Sequence, residues 1–177
     1  MDIECEVHYF EPDTEFLNKL KTQKTKNKKS YFNEFGLSDN EGEFTYYKNF
    51  QSFLNRKKTF PNQDKNNKIL KLKKASTYVS ELSIDNIDFI KIDTEGYELN
   101  VLKGFEDKLN IVKCIQFEYG GTFFDAEIKL VDVINYLKNF GFYDFYYLNG
   151  RNDLSKIENF SDHYQYCNII TENKFLT

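Results

Sequence analysis

Apolar and polar positions alternate along the chain with two different periods, and together they predict a mixed α/β fold. Short apolar runs indicate strands over residues 6–10, 30–37, 43–48, 70–73, 87–93, 111–117, 142–148 and 164–171. Because helical segments separate most of these runs, we expect a mostly parallel sheet with helices on both faces. The last two runs have no helix between them, which predicts a C-terminal antiparallel strand at the edge of the sheet.

Apolar residues at helical spacing mark the helices between those strands. One helix is predicted after Pro12 and Asp13, residue types that suit a first helical turn. A short helix is predicted over residues 78–82, another around Leu102, and a fourth along the apolar stripe from Ile128 to Leu137. The resulting order is that of repeated strand–helix units.

A polar, lysine-rich stretch extends from Asn49 to Asn67 and contains Pro61. Nothing in its pattern would contribute to a core. We therefore predict a long surface loop.

Composition is typical of one globular domain, which we expect to span residues 1–177. The chain is 40% hydrophobic and 18% aromatic, enough to bury a core. Its net charge of −4 argues against general nucleic-acid binding. No apolar run approaches the ~20 residues of a membrane span, and the first residues do not resemble a signal peptide. We therefore expect a cytoplasmic protein without a membrane partner.

Cysteine and histidine positions do not suggest a metal or disulfide framework. Cys5, Cys114 and Cys167 lie far apart and lack CxxC spacing, so reduced, buried thiols are expected. His8 and His163 have no partner at ligand spacing, and no metal site is predicted.

Acidic residues follow three of the predicted strands, at Glu11, Asp93 and Glu118. Ligands of a doubly wound sheet bind outside the carboxyl ends of its strands. At such an edge Glu11 would accept hydrogen bonds from ribose hydroxyls, and Asp93 and Glu95 would stand over the reacting end of the ligand. Each acid alone also has a structural interpretation, as a cap, a dipole partner or an ion-pair member. Their shared position favours a nucleoside-type site.

Lys91 interrupts an apolar strand, where an unpaired lysine would be costly to bury. Glu95 and Glu98 are near enough along the chain to be its partners. We interpret Lys91 as a member of an internal ion pair that orients these acids, in preference to a catalytic amine.

Four motifs occur in order along the chain, over residues 7–12 (VHYFEP), 35–43 (FGLSD and EGE), 90–104 (IKIDTEGYE and VLKG) and 115–121 (IQFEYGG). Together they resemble the FkbM-type S-adenosylmethionine-dependent methyltransferase family, from about residue 6 to the end of the chain. The third motif is the most specific, since it matches the family's fourth-strand motif almost residue for residue.

The resemblance implies a class I methyltransferase-like, Rossmann-like sheet whose last strand is reversed. It also implies S-adenosylmethionine as cofactor and a hydroxyl acceptor, often on a sugar or glycan-like molecule. It assigns cofactor binding to Glu11, Gly36, Leu37 and Asp93, and catalysis to Asp93, Glu95 and Glu118. One of the catalytic acids would orient or deprotonate the acceptor hydroxyl. The loop from Asn49 to Asn67 is the expected place for acceptor recognition.

The sequence departs from the family pattern at its beginning. The family's first strand and glycine-rich turn, of the form Val-Asp-x-Gly-Ala-Asn-x-Gly, have no counterpart here. We therefore expect an N-terminally incomplete domain that lacks a central strand, between those ending at Glu11 and Asp93. A fragment of a longer reading frame, a late-start gene model and a decayed paralogue would each explain it.

The leading hypothesis for function is an O-methyltransferase. The alternative is a non-catalytic or truncated methyltransferase-fold protein that serves as an interaction or structural module. A nicotinamide-dinucleotide enzyme is a weaker hypothesis, because the chain has no GxGxxG turn. The acceptor and the oligomeric state stay open.

Overall fold

The structure is a computed structural model that describes residues 5–23, 29–56, 59–60, 67–149 and 153–176. Its strands are β1 (Glu6–Phe10), β2 (Lys29–Asn33), β3 (Gly36–Ser38), β4 (Gly42–Tyr46), β5 (Lys68–Lys74), β6 (Ile87–Ile92), β7 (Val112–Tyr119), β8 (Phe142–Leu148), β9 (Leu154–Lys156) and β10 (Cys167–Asn173). Its α-helices are α1 (Thr14–Lys21), α2 (Ala75–Glu81), α3 (Glu98–Phe105), α4 (Gly121–Asp125) and α5 (Leu130–Lys138). Short 3₁₀ helices lie at Lys48–Phe50 and Glu106–Ile111. Within these ranges, none of the helices has the length and apolar character that crossing a membrane requires.

Among the described residues the strands form three sheets, so the predicted mixed α/β fold is confirmed but a single mostly parallel sheet is not seen. β1 pairs in parallel with β2, and β5 lies between β3 and β4. The largest sheet has the order β6-β7-β10-β8-β9. Only its β6–β7 pair is parallel, because β10 and β9 run against their neighbours.

The C-terminal strand is antiparallel, as predicted, but the prediction that it lies at the sheet edge is wrong. β10 is inserted between β7 and β8 and pairs with both. Its backbone forms a ladder on each side, while alternate residues of one face, Ile169, Thr171 and Asn173, are fully buried in the core. The Thr171 hydroxyl is satisfied by donating to the carbonyl of Asp144. The edge beyond β8 is taken by the short strand β9.

The strand predicted over residues 30–37 is divided between two sheets. The chain bends at Glu34 and Phe35, so that β2 pairs with β1 while β3 pairs with β5. The side chain of Asn33 holds the end of β2 by donating to the carbonyl of Tyr9. A stretch that the sequence assigns to one strand therefore contains a change of partner strand.

The core is formed mainly by β7, β8, α3 and α5, and it includes the fully buried residues Leu102, Phe117, Ile134 and Phe142. Gly104 brings α3 against β3: a Cβ atom at this position would lie 1.9 Å from the carbonyl oxygen of Ser38. Any side chain there would collide with backbone, so glycine sets the distance between α3 and β3.

A carboxylate cluster at the ends of two parallel strands

Asp93, Glu95 and Glu118 meet at one edge of the largest sheet and are called here the carboxylate cluster. β6 and β7 are parallel with Ile92 opposite Phe117, so the residues that follow this pair emerge side by side. One carboxylate oxygen from each of the three acids lies within 4.8 Å of the other two. The structure thus brings together the three acids to which the resemblance assigns catalysis.

Burial and mutual repulsion favour protonation within the cluster. The pKa of Glu118 is raised to about 7, first by burial and then by the nearby charges of Asp93 and Glu95. The ammonium of Lys91 opposes this rise. Burial and Asp93 also raise the pKa of Glu95. Near neutral pH the cluster can therefore take up or release a proton.

Glu98 fixes the loop that carries two of these acids. Its Oε1 accepts the backbone N–H of Thr94 at 2.9 Å, the Thr94 hydroxyl at 3.0 Å and the backbone N–H of Gly96 at 3.3 Å. Glu95 and Gly96 both have positive φ angles, of 53° and 95°. A Cβ atom at Gly96 would lie 2.6 Å from Cδ2 of Leu54, so glycine is needed for both its conformation and its packing.

The predicted partners of Lys91 are wrong. Its ammonium pairs with Asp93 at 2.7 Å, and both side chains are about half exposed, at 52% and 43%. Burial does not force Lys91 toward Glu95 or Glu98, because among the described residues β6 has only β7 beside it and leaves Lys91 open to solvent. The carboxylate of Glu98 instead accepts hydrogen bonds from the backbone N–H groups of Thr94 and Gly96.

Residues 48–56, called here the covering segment, pack onto the cluster loop. Most of this segment is exposed or half-buried loop, as predicted, but the expectation that nothing in it would contribute to packing is wrong here. Positions 57–58 and 61–66 lie outside the described residues. Ser52 is buried and its hydroxyl reaches the carbonyls of Thr94 at 3.3 Å and Glu95 at 2.9 Å. Phe53 adds aromatic contacts with Tyr46 and Tyr97.

Arg56 connects the end of the covering segment to α4 through an ion pair. Its guanidinium donates from Nε and pairs through Nη2 with Asp125, whose side chain is only 2% exposed. The rings of Phe50 and Phe60 flank the guanidinium at 5.1 and 4.9 Å. Arg56 also lowers the pKa of Glu95. No sequence pattern signals this ion pair, because its members are 69 residues apart.

Comparison with known proteins is decisive for the family. The family model described as the methyltransferase FkbM domain matches residues 1–143. The chain belongs to this family. The predicted resemblance is thereby confirmed, and the FkbM match includes the whole carboxylate cluster. No curated protein and no solved structure matched the chain.

The other residues to which the resemblance assigns cofactor binding belong to β1 and β3 or follow them, in sheets other than the one that carries the cluster. Glu11 follows β1, where its Oε1 accepts the backbone N–H of Asp13 at 2.8 Å and burial raises its pKa. Gly36 is buried, and the space that a side chain would need is filled by Leu72, 2.8 Å away. Leu37 packs against the core. Their assignment to cofactor binding stays a prediction.

Carboxylate oxygens are the ligands that hard divalent cations prefer, and the spacing of the cluster would suit one. Exposed acidic groups are common without a metal. The expectation that no metal takes part therefore stays a prediction for this FkbM domain.

Proposed function

We propose that this chain is an S-adenosylmethionine-dependent O-methyltransferase that acts on a hydroxyl group of a sugar or glycan-like acceptor. The observation that carries the proposal is Glu118, a carboxylate with a pKa of about 7 inside the cluster of an FkbM domain. A general base works best when its pKa is near the working pH, which makes Glu118 the best suited of the three acids.

The donor set fits the cofactor chemically. Glu11 is a partly buried acceptor of the kind that binds ribose hydroxyls. The negative charge of Asp93 and its neighbours would stabilise a positively charged sulfonium. When bound, S-adenosylmethionine supplies a methyl group on cationic sulfur, which becomes a neutral thioether once an oxygen has taken the methyl.

In this mechanism Glu118 hydrogen-bonds the acceptor hydroxyl and takes its proton as the oxygen gains the methyl group. Lys91 holds Asp93 by an ion pair, and Glu98 fixes the loop of Glu95. These contacts position the acids before the acceptor arrives, which lowers the reorganisation that proton transfer would otherwise need.

For the fold, we propose that β1–β2 and β6–β7–β10–β8 are two parts of one Rossmann-like methyltransferase sheet. The parallel pairing within each part and the insertion of β10 support this. We also propose a cytoplasmic location, which the reduced thiols of Cys114 and Cys167 support.

Calorimetric titration with S-adenosylhomocysteine tests the proposal. We expect micromolar binding by the native chain. The affinities of Glu11→Ala and Asp93→Ala should be lower by about tenfold or more, since each variant loses a charge-assisted contact. Glu172→Ala is the matched control, because Glu172 is an exposed acid at the end of β10 away from the cluster. Unchanged affinity in both site variants would count against the proposed cofactor site.

A non-catalytic interaction module is the second candidate, and one observation favours it. β6 has a single partner strand among the described residues, and Phe89 on this strand is 49% exposed. An open strand edge with an exposed aromatic residue is a surface for pairing with another chain. A folded chain that binds no S-adenosylhomocysteine would favour this candidate.

A further inference from the structure

β10 places an amide side chain, Asn168, beside the carboxylate cluster. In the antiparallel ladder of β7 and β10, Asn168 is the direct partner of Glu118. Side chains of such partners leave the same face of the sheet, with Cβ atoms about 4.5–5.5 Å apart. The next partners, Phe117 and Ile169, are fully buried on the other face, whereas Asn168 and Glu118 are only half-buried. The register thus brings an amide and a carboxylate together on an accessible face.

Gln116 fixes the orientation of the Asn168 amide. It lies two residues before Glu118 on β7, so its side chain leaves the same face of the sheet. Its Nε2 donates to Oδ1 of Asn168 at 2.9 Å. Because the oxygen and the nitrogen of an amide point in different directions from its carbon, the Nδ2 group of Asn168 is directed away from Gln116. This group carries two N–H donors, and within the part of the chain that the structure describes no acceptor is bonded to them.

The carboxylate of Glu118 likewise has no hydrogen-bond donor among the described residues. The amide and the carboxylate therefore both keep bonding capacity, although they are partners on adjacent strands. A hydroxyl group uses both at once, since its O–H donates and its oxygen lone pairs accept. An ammonium group has donors only and leaves the Asn168 amide without an acceptor. The pair is therefore matched to a hydroxyl.

We infer that the amide of Asn168 donates a hydrogen bond to the acceptor oxygen whose proton Glu118 takes. The inference deepens the proposed function and rests on it. As the O–H bond breaks, its proton moves to Glu118 and its electron pair stays on the oxygen. That pair then forms the bond to the methyl carbon, and the carbon–sulfur pair stays on the sulfur. The N–H dipole of Asn168 stabilises the negative charge that develops on the oxygen.

This role makes Asn168 a catalytic residue outside the family match. The family model covers residues 1–143, whereas β10 begins at Cys167. No motif of the matched region therefore points to Asn168. Its place in the site follows from the insertion of β10 beside β7.

Saturation-transfer NMR with methyl glucoside, methyl galactoside and methyl mannoside measures the hydroxyl contact without cofactor. We expect Asn168→Ala to weaken the affinity for the glycoside that the native chain binds best by about 3- to 10-fold, as for the loss of one neutral hydrogen bond. Asn168→Asp should weaken it further, because Asp keeps the shape of Asn and still accepts from Gln116 but replaces the donor by a negative charge. Asn135→Ala is the matched control, since Asn135 is exposed on α5.

The pH dependence of labelled-methyl transfer to the same glycoside separates this role from a structural one. In Asn168→Asp a further carboxylate lies directly opposite Glu118 and raises the pKa of Glu118. The increase of the rate with pH should therefore move to higher pH than in the native chain. In Asn168→Ala the rate should fall at every pH while the increase stays near its native position. Thermal melts establish that each variant is folded.

Asn168→Ala that binds and methylates the glycoside as well as Asn135→Ala does would overturn the inference. A native pH profile in Asn168→Asp would also overturn it, because the two side chains would then not face each other. So would a native chain that neither binds nor methylates any of the three glycosides. S-adenosylhomocysteine titration distinguishes the two proposals. Cofactor binding and transfer that do not depend on Asn168 contradict this inference alone, whereas a chain without cofactor binding contradicts the proposed function.

Discussion

Acidic side chains lie at the carboxyl end of β1 and at the ends of β6 and β7, yet their surroundings differ in kind. After β1, Asp13 is fully buried with each oxygen in contact with the ammonium of Lys68, at 2.8 and 2.6 Å. It also caps α1 by accepting the backbone N–H of Glu15. Near the end of β7, Glu118 faces two other carboxylates, and Lys91 is the cation that opposes their effect.

The contrast between Asp13 and Glu118 shows that burial alone does not identify a functional acid. Asp13 is the more buried residue, but its charge is compensated and its hydrogen bonds hold the backbone. Glu118 is less buried, yet its burial and then its neighbouring carboxylates raise the pKa of its carboxyl to about 7. A compensated acid stabilises the fold, whereas a crowded one costs stability and gains chemical reactivity.

Replacement of Glu118 by Gln should produce the largest effect, a loss of methyl-transfer rate. Without that loss, the contrast between Glu118 and Asp13 would not hold. We expect a 10²- to 10⁴-fold loss of methyl-transfer rate, about the contribution of general acid–base catalysis. The native rate should rise with pH through about 7, because only the ionised carboxylate accepts a proton. Transfer of labelled methyl to a sugar acceptor measures both effects, with Glu172→Gln as control. A native rate matched by Glu118→Gln would remove Glu118 from the chemistry.

Replacement of Asp13 by Ala should chiefly affect stability. It leaves the ammonium of Lys68 without its partner and removes the cap of α1, and we expect a loss of about 3 kcal/mol in the free energy of unfolding. Urea denaturation measures this loss. The control is Lys19→Ala, which removes the exposed Lys19–Glu15 pair and should cost less than about 0.5 kcal/mol. Similar losses in both variants would show that burial of the Asp13–Lys68 pair does not increase its contribution to the free energy of unfolding.

The smallest effect should be a gain in stability when Glu118 becomes Gln. Because folding raises the pKa of Glu118 from 4.5 to about 7, its ionisation opposes folding increasingly between these pH values. The melting temperatures of native chain and variant should agree at pH 4. Above pH 7 the variant should melt about 2–4 °C higher, for a screened effect on the order of 1 kcal/mol. A constant difference at all pH values would exclude this cause.

Regular elements are predicted best where one sequence period dominates. The predicted strand over residues 142–148 coincides with β8, since it is an aromatic-rich run, interrupted only by Asp144, between a glycine and polar residues. The pattern misses α4, whose five residues are too few for a helical period, and β9, whose three residues are all exposed. It also cannot show that β10 enters the sheet between β7 and β8, because strand order is set by long-range packing.

Site residues can be predicted from the sequence where they lie at the ends of predicted strands. Asp93 and Glu118 could be placed together because both lie at the ends of parallel apolar strands. The contacts of Ser52 and Arg56 could not, since they depend on how a polar segment folds back over distant residues. The partner of Lys91 was missed because the burial of its strand was overestimated.

The contact between Gly104 and Ser38 also bears on how this sequence can change over generations. A single base substitution converts any glycine codon into an alanine codon, yet a Cβ atom at position 104 would lie 1.9 Å from a carbonyl oxygen. The smallest available mutation would therefore push α3 away from β3 and carry with it the loop between β6 and α3, where Glu95 lies. Sequence variants that keep the acids but lose this glycine would have the reactive groups without the geometry that aligns them.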